Sequence, residues 1–576
     1  MSTLQENDAL RKQLLKNSGA LRLLRRGSRG NHRRPMPQIE DVAPQTHVFD
    51  RAAMDNLGLA DQILFERFGQ GPITALPHER IQEPFEHFAA VNPTAVAVEH
   101  LGETITYGEL ERQANRLATH LAELGVRTGD NVALFLKRSI PMIVGILGTL
   151  KAGAAYVPQD VGIAPDTQLR HIMDVAETRV VLTTSQFRHL IPDAPGQTVL
   201  EVDGLMQQPF SDFIAYRTPF QPQTPIQPDN RCFLLFTSGT TGNPNGVQVT
   251  HRNVCNILLT EPGDLGMRPG LKVSQILNIA FDMAAWEILG CLSHGATLVI
   301  RGKDIAAAVQ QADIVIATPS VLGAVDAEQC RNVKVVAVAG EPCPLPLAER
   351  WAAFCTFYNS CGPTETTIVN TMQPYRAQSG KLTIGKPTPN NTVYVLNEDR
   401  RPCAIGEVGE MWAGGLCVTA GYLKNPQRTD ERYAPDPFLG DGQMMFRTRD
   451  LGRWTADGEL IHLGRTDDQV KIRGYRVELD SVSNALESTP GCAQAVTLKF
   501  DSRNLVAFVR PSSVDVDAAR EAVAKSLPYY CTPAFVLALD DFPVTSRGKV
   551  DKRALLELAR EYAEKAEALT PIPHRR

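Results

Sequence analysis

The chain has 576 residues, of which 43% are hydrophobic and 21% charged, so it is long enough for one large and one small domain. Its formal net charge of -5 provides no basic field of the kind that nucleic-acid binding requires, and we predict no nucleic-acid partner. No stretch approaches the roughly 18 consecutive apolar residues of a membrane span, so we predict no membrane partner. No hydrophobic signal core is visible, and the 11 cysteines stand as singletons without metal-ligand spacing. These features predict a cytoplasmic protein without a structural zinc site or disulfides.

Arginines are concentrated in residues 1–35, where acidic residues are few. This pattern is compatible with a transit peptide or an anion-binding arm, and also with a solvated extension or linker. We favour the extension, because Pro35, Pro37 and Pro44 follow and no sustained apolar face accompanies the charges. We therefore predict that residues 1–75 form an N-terminal extension or linker that is partly disordered.

Short β-branched runs alternate with helical patterns from about residue 95 to residue 360. An example is NVALFL at 131–136, which is followed by the apolar, helix-length segment SIPMIVGILGTLKAG at 139–153. This alternation is typical of α/β proteins with layered, mostly parallel sheets covered by helices, and it predicts a large domain over residues 76–466. Such sheets bind ligands where strands end in loops, so we expect the chemistry in loops that directly follow strands.

The pattern of the sequence changes after about residue 466. The strand-like segments AVTLKF and NLVAFVR and the helical segment DAAREAVAKSL predict a small α+β domain over residues 467–556. The closing segment DKRALLELAREYAEKAEAL has the spacing of a charged amphipathic helix. Residues 557–576 are assigned to a C-terminal tail.

A strand with the sequence FLLF runs into a loop that is dense in hydroxyl groups and glycines, TSGTTGNPNG at 237–246. Glycines permit positive φ angles and close backbone approach, while backbone N–H groups and Ser/Thr hydroxyls donate hydrogen bonds to an anion. The loop is not a Walker A loop, because no lysine followed by a hydroxyl residue stands in place. Its pattern predicts a phosphate-binding loop, with a merely structural turn as the alternative. The predicted phosphate contacts are Thr237, Ser238, Gly239, Thr240, Thr241 and Gly242.

Other segments along the chain have equally specific sequences. They include ITYGEL at 105–110, LKAGAAYVPQD at 150–160, FDMAAWE at 281–287, NSCGPTETT at 359–367, GEVGEMWAGGLCVTAGYL at 406–423, FRTRDLGRW at 446–454, GRTDDQVKIRGYRVEL at 464–479, LPYYCTP at 527–533 and GKVDKR at 548–553. In this order, over about residues 78–556, they resemble the adenylate-forming superfamily, which includes acyl-CoA ligases, firefly luciferase and the adenylation domains of nonribosomal peptide synthetases. The peptide synthetase branch matches best. The resemblance implies the adenylate-forming enzyme fold, a small mobile C-terminal lid domain, and ATP and Mg²⁺ as cofactors.

The resemblance also implies roles for single residues. Glu365 would ligate the Mg²⁺ that bridges the ATP phosphates, and Thr364 would donate a hydrogen bond to the α-phosphate. Asp450 would accept hydrogen bonds from both ribose hydroxyls, which suits a carboxylate with two oxygens. Lys549 would reach from the small domain to the α-phosphate and the substrate carboxylate, where its charge would stabilise the pentacoordinate phosphorus. Without the resemblance these residues would be interpreted as a solvated turn, a surface ion pair and a solvated lysine.

At the domain junction, the resemblance makes Arg465 a contact to ribose or phosphate and Asp467 the hinge. Three positions depart from the family pattern. Asn245 stands where a lysine is usual, and Arg449 stands where a glycine normally precedes the ribose acid. Cys361 replaces a tyrosine that stacks on adenine, so it is predicted to contact the nucleotide without a ring. The departures leave nucleotide affinity open.

Asp282 decides between branches of the family. In amino-acid-activating members, an aspartate at this place pairs with the α-ammonium group of the substrate, as a buried carboxylate facing an ammonium can do strongly. The alternative is that Asp282 only caps the amino end of the following helix. We favour the recognition role.

The same alignment predicts the wall of the substrate pocket. Apart from Asp282, no charged residue points at the substrate side chain, so a neutral, mainly apolar side chain is expected. Trp286 and Met283 should narrow the pocket, whereas Ala337 and Ala339 should leave room. The predicted lining is Asp282, Met283, Trp286, Ile316, Ala337, Ala339, Ser360, Ile368 and Val369, with Lys549 holding the carboxylate.

These assignments predict an enzyme that uses ATP to convert an amino acid into an aminoacyl adenylate plus pyrophosphate. The small domain would then swing about Asp467 and present Gly474 to the phosphopantetheine thiol of a peptidyl carrier protein in nonribosomal peptide biosynthesis. The carrier would act in trans or belong to a downstream region, because no carrier-type segment follows residue 556. The alternatives are an acyl- or aryl-CoA ligase and a catalytically degraded nucleotide-binding scaffold.

Overall fold

The computed structural model describes residues 49–210, 216, 218–237, 244–377, 380–544 and 550–569. Its strands are numbered here in chain order. They are β1 Val96–His100, β2 Glu103–Thr106, β3 Asn131–Phe135, β4 Ala155–Gln159, β5 Val180–Thr183, β6 Thr198–Glu201, β7 Arg231–Thr237, β8 Asn245–Thr250, β9 Lys272–Gln275, β10 Thr297–Ile300, β11 Ile314–Ala317, β12 Val335–Val338, β13 Thr356–Cys361, β14 Thr371–Tyr375, β15 Lys386–Pro387, β16 Asn391–Leu396, β17 Gly409–Gly415, β18 Tyr433–Pro435, β19 Met444–Trp454, β20 Leu460–Arg465, β21 Gln469–Ile472, β22 Tyr475–Glu478, β23 Gln494–Lys499, β24 Leu505–Arg510 and β25 Phe535–Ala538.

Helices connect most of these strands. The α-helices are Leu59–Gly69, Gln82–Val91, Tyr107–Glu123, Ile140–Lys151, Asp166–Ala176, Val202–Gln207, His251–Leu258, Asp282–Ala285, Cys291–Ser293, Ile305–Val309, Pro319–Leu322, Leu345–Ala352, Pro426–Arg432, Leu479–Glu487, Val516–Ser526 and Lys552–Leu569. A π-helical segment spans Trp286–Gly290. The 3₁₀ segments are Arg51–Met54, Ser185–Leu190, Ala327–Cys330, Thr364–Thr366 and Tyr529–Cys531.

Local sequence explains why the apolar segment after β3 is a helix. The side chain of Ser139 caps its amino end by accepting a hydrogen bond from the backbone N–H of Met142, and Pro141 fits the first turn. The helix Ile140–Lys151 is buried on nearly every side, which accounts for its continuous apolar sequence.

Two large sheets carry most of the core. The first has the strand order β6-β5-β3-β4-β7-β8 and the second the order β15-β14-β13-β12-β11-β9-β10-β1-β2. The neighbours from β10 through β9, β11 and β12 to β13 are all parallel, so the carboxyl ends of these strands lie at one edge. The predicted α/β class with mostly parallel sheets is confirmed.

A five-stranded sheet of β16, β17, β19, β18 and β20 packs with residues that precede residue 75. The buried rings of Phe49 and Phe65 lie 5.5 and 6.0 Å from that of Tyr394, which in turn contacts Phe438. The prediction that residues 1–75 are an extension is therefore wrong for the part from Phe49 onwards, because aromatic burial ties it to this sheet. Residues 1–48, including the arginine-rich segment, lie outside the described residues.

The small sheets β21-β22 and β23-β24-β25 lie after residue 468. The last helix, Lys552–Leu569, packs onto the three-stranded sheet through Leu555 and Ala559, which are buried in one cluster with Phe508 and Phe542. The predicted tail boundary at residue 556 is thus too early, because the apolar face of this helix continues past it. None of the helices in the described ranges has the length and apolar character needed to cross a bilayer.

Candidate active site

A cleft of about 970 Å³ lies where strand ends of the large sheets meet the hairpin β21-β22. Thr237 at the end of β7, Ala339 just after β12 and Cys361 at the end of β13 all line it. This location follows from the parallel strands, whose carboxyl ends share an edge. The cleft therefore lies where the sequence places its loops of interest.

Asp282 is partly exposed to this cleft. Asp282 is the first residue of a short helix, and the N-cap position before it is occupied by Phe281. No side-chain hydrogen bond caps this helix, so the alternative that Asp282 is its N-cap is wrong. Burial raises the pKa of Asp282, against the opposing effects of a hydrogen bond from Thr364 and the charge of Lys471. A carboxylate in this environment gains from a cationic partner.

The predicted pocket wall divides into two groups. Met283, Ala339, Ser360 and Ile368 line the cleft together with Asp282. The others are fully buried behind it and contribute nothing to its lining, namely Trp286, Ile316, Ala337 and Val369.

Trp286 does not narrow the cleft as predicted. Its indole N–H donates to the backbone oxygen of Gly263 at 2.6 Å, and a buried indole requires such a partner. A π-helical segment begins at this residue, and such segments change which side chains face a neighbouring cavity. Met283 is therefore the member of the predicted narrowing pair that faces the cleft.

Glu365 is fully buried and held by two partners. Its carboxylate accepts hydrogen bonds from the Arg476 guanidinium at 2.9 Å and from the Tyr422 hydroxyl at 2.6 Å. Burial acts to raise the pKa of Glu365, but the charges of Arg476 and Arg432 and the Tyr422 hydroxyl outweigh it and hold that pKa at about 2. The chemistry of the acid suits Mg²⁺, but in this arrangement its oxygens face a guanidinium, so the residues present do not fit the ion.

Asp450 and the domain junction form one network. The guanidinium of Arg465 donates to Asp450 at 2.7 Å and to both oxygens of Asp467 at 2.8 and 3.0 Å. His462 lies 3.2 Å from Asp450. Burial acts to raise the pKa of Asp450, but His462 and Arg465 reverse this and hold the pKa below its usual range. The predicted ribose acid and the predicted hinge are thus joined through Arg465.

The hairpin β21-β22 supplies side chains that sequence reasoning missed. Lys471 and Arg476 stand directly opposite each other in its register, and like charges in that position repel. Arg476 is neutralised by Glu365, whereas Lys471 faces the cleft, where burial lowers its pKa and Asp282 acts in the opposite direction. The signal was present in QVKIRGYRVE, where the turn residues Arg473 and Gly474 both have positive φ and put the two cations in register.

The hairpin also touches the large domain through its turn. The ring of Tyr475 lies 4.9 Å from that of Phe281, and a Cβ on Gly474 would come within 2.9 Å of Thr318. Gly474 therefore lies against the wall of the cleft, and a side chain there would collide with it.

The remaining predicted residues fall partly on the cleft and partly outside the described residues. Thr364 and Thr237 line the cleft, whereas Ser238, Gly239, Thr240, Thr241, Gly242 and Lys549 lie outside the described residues. Asn245 accepts a hydrogen bond from Asn425 at 2.9 Å. Cys361 lines the cleft, and burial raises the pKa of its thiol to about 12, so it lies there as a neutral thiol.

Arg449 has a backbone conformation that explains why glycine is usual at its place. Its φ is 63°, in the left-handed region, which costs a residue with a Cβ roughly 1 kcal/mol. Its guanidinium bonds to Glu431 at 2.5 Å and lies 4.0 Å from Asp467. The ion pairs thus offset the strain that the side chain introduces.

This assignment predicts the order of stability of two variants. Arg449→Ala keeps the strained Cβ and loses the ion pairs, whereas Arg449→Gly loses both the pairs and the strain. We expect the glycine variant to exceed the alanine variant in free energy of unfolding by about 1 kcal/mol. Urea unfolding of both variants and the wild type would measure this difference. Equal stability of the two variants would show that the backbone is not strained here.

The sheets, the cleft at their strand ends and the converging acids and cations define an adenylate-forming enzyme. The comparisons agree, since the model of the AMP-binding enzyme family matches residues 85–423, more than half of the chain. An adenylate-forming reductase of Coprinopsis cinerea is 46% identical over 509 residues, which are 88% of this chain and 49% of that protein. The nonribosomal peptide synthetase aclP of Aspergillus oryzae is 35% identical over 480 residues, 82% of this chain and 29% of that protein.

The fold is shared with solved structures as well. The structure of holo-PA1221, a nonribosomal peptide synthetase protein containing adenylation and carrier domains, superposes with a TM-score of 0.74 at 24% identity, over 84% of this chain and 85% of that one. The chain belongs to the AMP-binding enzyme family of ATP-dependent adenylate-forming ligases, as the sequence motifs predicted. It spans about half the length of the fungal reductases it matches.

Proposed function

We propose that the chain activates a neutral amino acid with ATP and passes it to the thiol of a phosphopantetheine carrier. The observation that carries this proposal is Asp282, a carboxylate in the cleft with its pKa raised by burial. Lys471 acts on this carboxylate from the hairpin, and a substrate α-ammonium would supply a direct ion-pair partner within the cleft. An acid without an amino group would leave the carboxylate without that direct partner in a partly desolvated place.

In the first half-reaction, an oxygen of the substrate carboxylate attacks the α-phosphorus of MgATP. The bond from phosphorus to the bridging oxygen breaks, pyrophosphate leaves, and the amino acid is held as its adenylate. Asp282 is assigned to the amine end of the substrate and Asp450 to the ribose hydroxyls, while Thr364 and Lys549 are assigned to the phosphate and carboxylate oxygens. These residues act by positioning and by electrostatics.

The second half-reaction is supported by the present arrangement of the hairpin. With Arg476 on Glu365 and Gly474 against Thr318, the small domain covers the cleft. A carrier thiolate would attack the carbonyl carbon of the adenylate, form a thioester and expel AMP. The ion pair of Arg476 with Glu365 would have to break for the hairpin to leave the cleft, which fits a swing about Asp467.

The cleft wall supports a neutral side chain on the substrate. Met283, Ala339 and Ile368 offer apolar contact, and a charged substrate group among them would be buried without a partner. Ser360 is the hydroxyl-bearing member of the five predicted pocket residues that line the cleft.

A second candidate follows from the identity to fungal adenylate-forming reductases, which is higher than that to the peptide synthetase. In this candidate, the activated acyl group is handed to a reductase unit instead of entering peptide assembly. The adenylation step would be the same in both candidates.

Exchange of labelled pyrophosphate into ATP over a panel of acids tests the proposal. The panel pairs each neutral amino acid with its deaminated analogue and includes acidic and basic amino acids. We expect exchange to require the α-amino group and charged side chains to reduce it at least about 10-fold. Exchange with deaminated acids at equal rates would identify an acyl-acid ligase, and ATP binding without exchange for any acid would identify a scaffold.

A further inference from the structure

Two arginines outside the predicted site come together at the wall of the cleft. Arg138 follows β3 and Arg301 follows β10, and both line the cleft. Arg138 Nη2 and Arg301 Nε donate to the same backbone oxygen, that of Ile276, at 3.1 and 3.0 Å. The two nitrogens therefore cannot be more than about 6 Å apart.

No carboxylate of the described ranges lies within 4.0 Å of either guanidinium. The acids that act on Arg138 from farther away are bonded elsewhere, with Asp160 accepting from Gly162 N–H and Glu287 from Ile276 N–H. Burial raises the pKa of Glu287, and both of its oxygens accept hydrogen bonds from the backbone N–H groups of Ile276 and Leu277 and from the Gln275 amide.

The two arginines therefore hold positive charge that the described part of the protein leaves without an ion pair. Burial and the charge of Arg301 lower the pKa of Arg138, against the opposing charges of Glu287 and Asp160. Two guanidiniums that share one carbonyl still have N–H groups for an anion between them, and their planar fork suits a phosphate group.

The position of Arg138 and Arg301 in the cleft favours a role in the transfer of the acyl group to the thiol. Tyr475, on the hairpin that covers the cleft, is close enough to Arg138 to affect its pKa, and Tyr475 packs against Phe281. The pair thus lies near the part of the cleft that the hairpin covers.

We propose that Arg138 and Arg301 bind the phosphate group of the phosphopantetheine arm while its thiol attacks the adenylate. This inference rests on the proposed function, and it adds a binding site for a phosphate ester within the same cleft. The site contributes to recognition of the thiol substrate and takes no part in forming the adenylate.

The test compares two thiols that differ by one phosphate, phosphopantetheine and pantetheine. After the adenylate has formed with the amino acid selected by exchange, kcat/KM for thioester formation is measured with each thiol. We expect the wild type to prefer phosphopantetheine about 10- to 100-fold, and Arg301→Gln and Arg138→Gln to lose most of that preference. Arg301→Lys, which keeps the charge but loses the fork, should retain part of it.

Arg350→Gln serves as the matched control, because Arg350 is exposed on the helix Leu345–Ala352 away from the cleft lining. Equal losses of kcat/KM with both thiols would mean a structural role for the arginines. A raised KM for ATP in pyrophosphate exchange would mean that the arginines bind the nucleotide. Either result overturns the inference. If the wild type shows exchange but transfers to neither thiol, the transfer half of the proposed function fails and the inference fails with it. Unchanged thiol preference in folded Arg301→Gln, checked by its melting temperature, would equally contradict it.

Discussion

Asp282→Asn should lower kcat/KM for the amino acid by about 30-fold or more in pyrophosphate exchange. Asparagine has the size of aspartate but no charge, so the substrate ammonium would enter the cleft without its partner. Removing one member of a desolvated charge pair costs about 2–5 kcal/mol, which corresponds to this loss. The deaminated analogue, in contrast, should lose little, because it never used the carboxylate.

The pH dependence of kcat/KM for the wild type should also report the titration of the Asp282 carboxylate. Because burial raises the pKa of Asp282, the acid limb of kcat/KM should lie above the usual aspartate range, with activity lost as pH falls through that pKa. The matched control is Asp174→Asn, an exposed aspartate on the helix Asp166–Ala176. Equal losses for the amino acid and its deaminated analogue would contradict recognition of the amine by Asp282.

Arg476→Gln should separate the two half-reactions. The change removes the cationic partner of a fully buried carboxylate, and breaking a buried pair of this kind costs about 3–5 kcal/mol. If the small domain swings as proposed, the cost falls on the arrangement in which the hairpin covers the cleft, where Arg476 meets Glu365. We therefore expect thioester formation to fall about 100-fold or more, while pyrophosphate exchange is retained.

Single-turnover measurement of adenylate and thioester on the same preparation would show this split. Arg503→Gln is a suitable control, since Arg503 is an exposed arginine of the small domain outside the cleft lining. An equal loss of rate in adenylate formation and in thioester formation would contradict this prediction. It would mean that Arg476 supports folding or nucleotide binding, and not the arrangement in which the hairpin covers the cleft.

The sequence predicted the sheets and the position of the cleft because both follow from local signals. Apolar runs such as NVALFL specify buried strands, and loops after parallel strands meet at one edge, so Asp282 and Cys361 could be placed near each other from separate segments. The family motifs then placed Asp450 and Arg465 on the same cleft.

The remaining features depend on tertiary packing, which local patterns do not encode. Arg476 and Glu365 are 111 positions apart and meet only because the hairpin lies on the large domain. Trp286 was predicted to face the substrate, but its direction depends on a π-helical segment and on a distant carbonyl acceptor. Whether the predicted metal ligand can bind a metal thus depends on the placement of a hairpin more than 100 positions away.

The aromatic cluster of Phe49, Phe65, Tyr394 and Phe438 has a practical consequence for dividing the chain into fragments. The family motifs begin near residue 78, and an expression boundary chosen from them would remove two of the four rings. The remaining Tyr394 and Phe438 would then be uncovered on the five-stranded sheet, a kind of apolar surface that promotes aggregation. A shortened fragment that stays soluble therefore has to start upstream of Phe49.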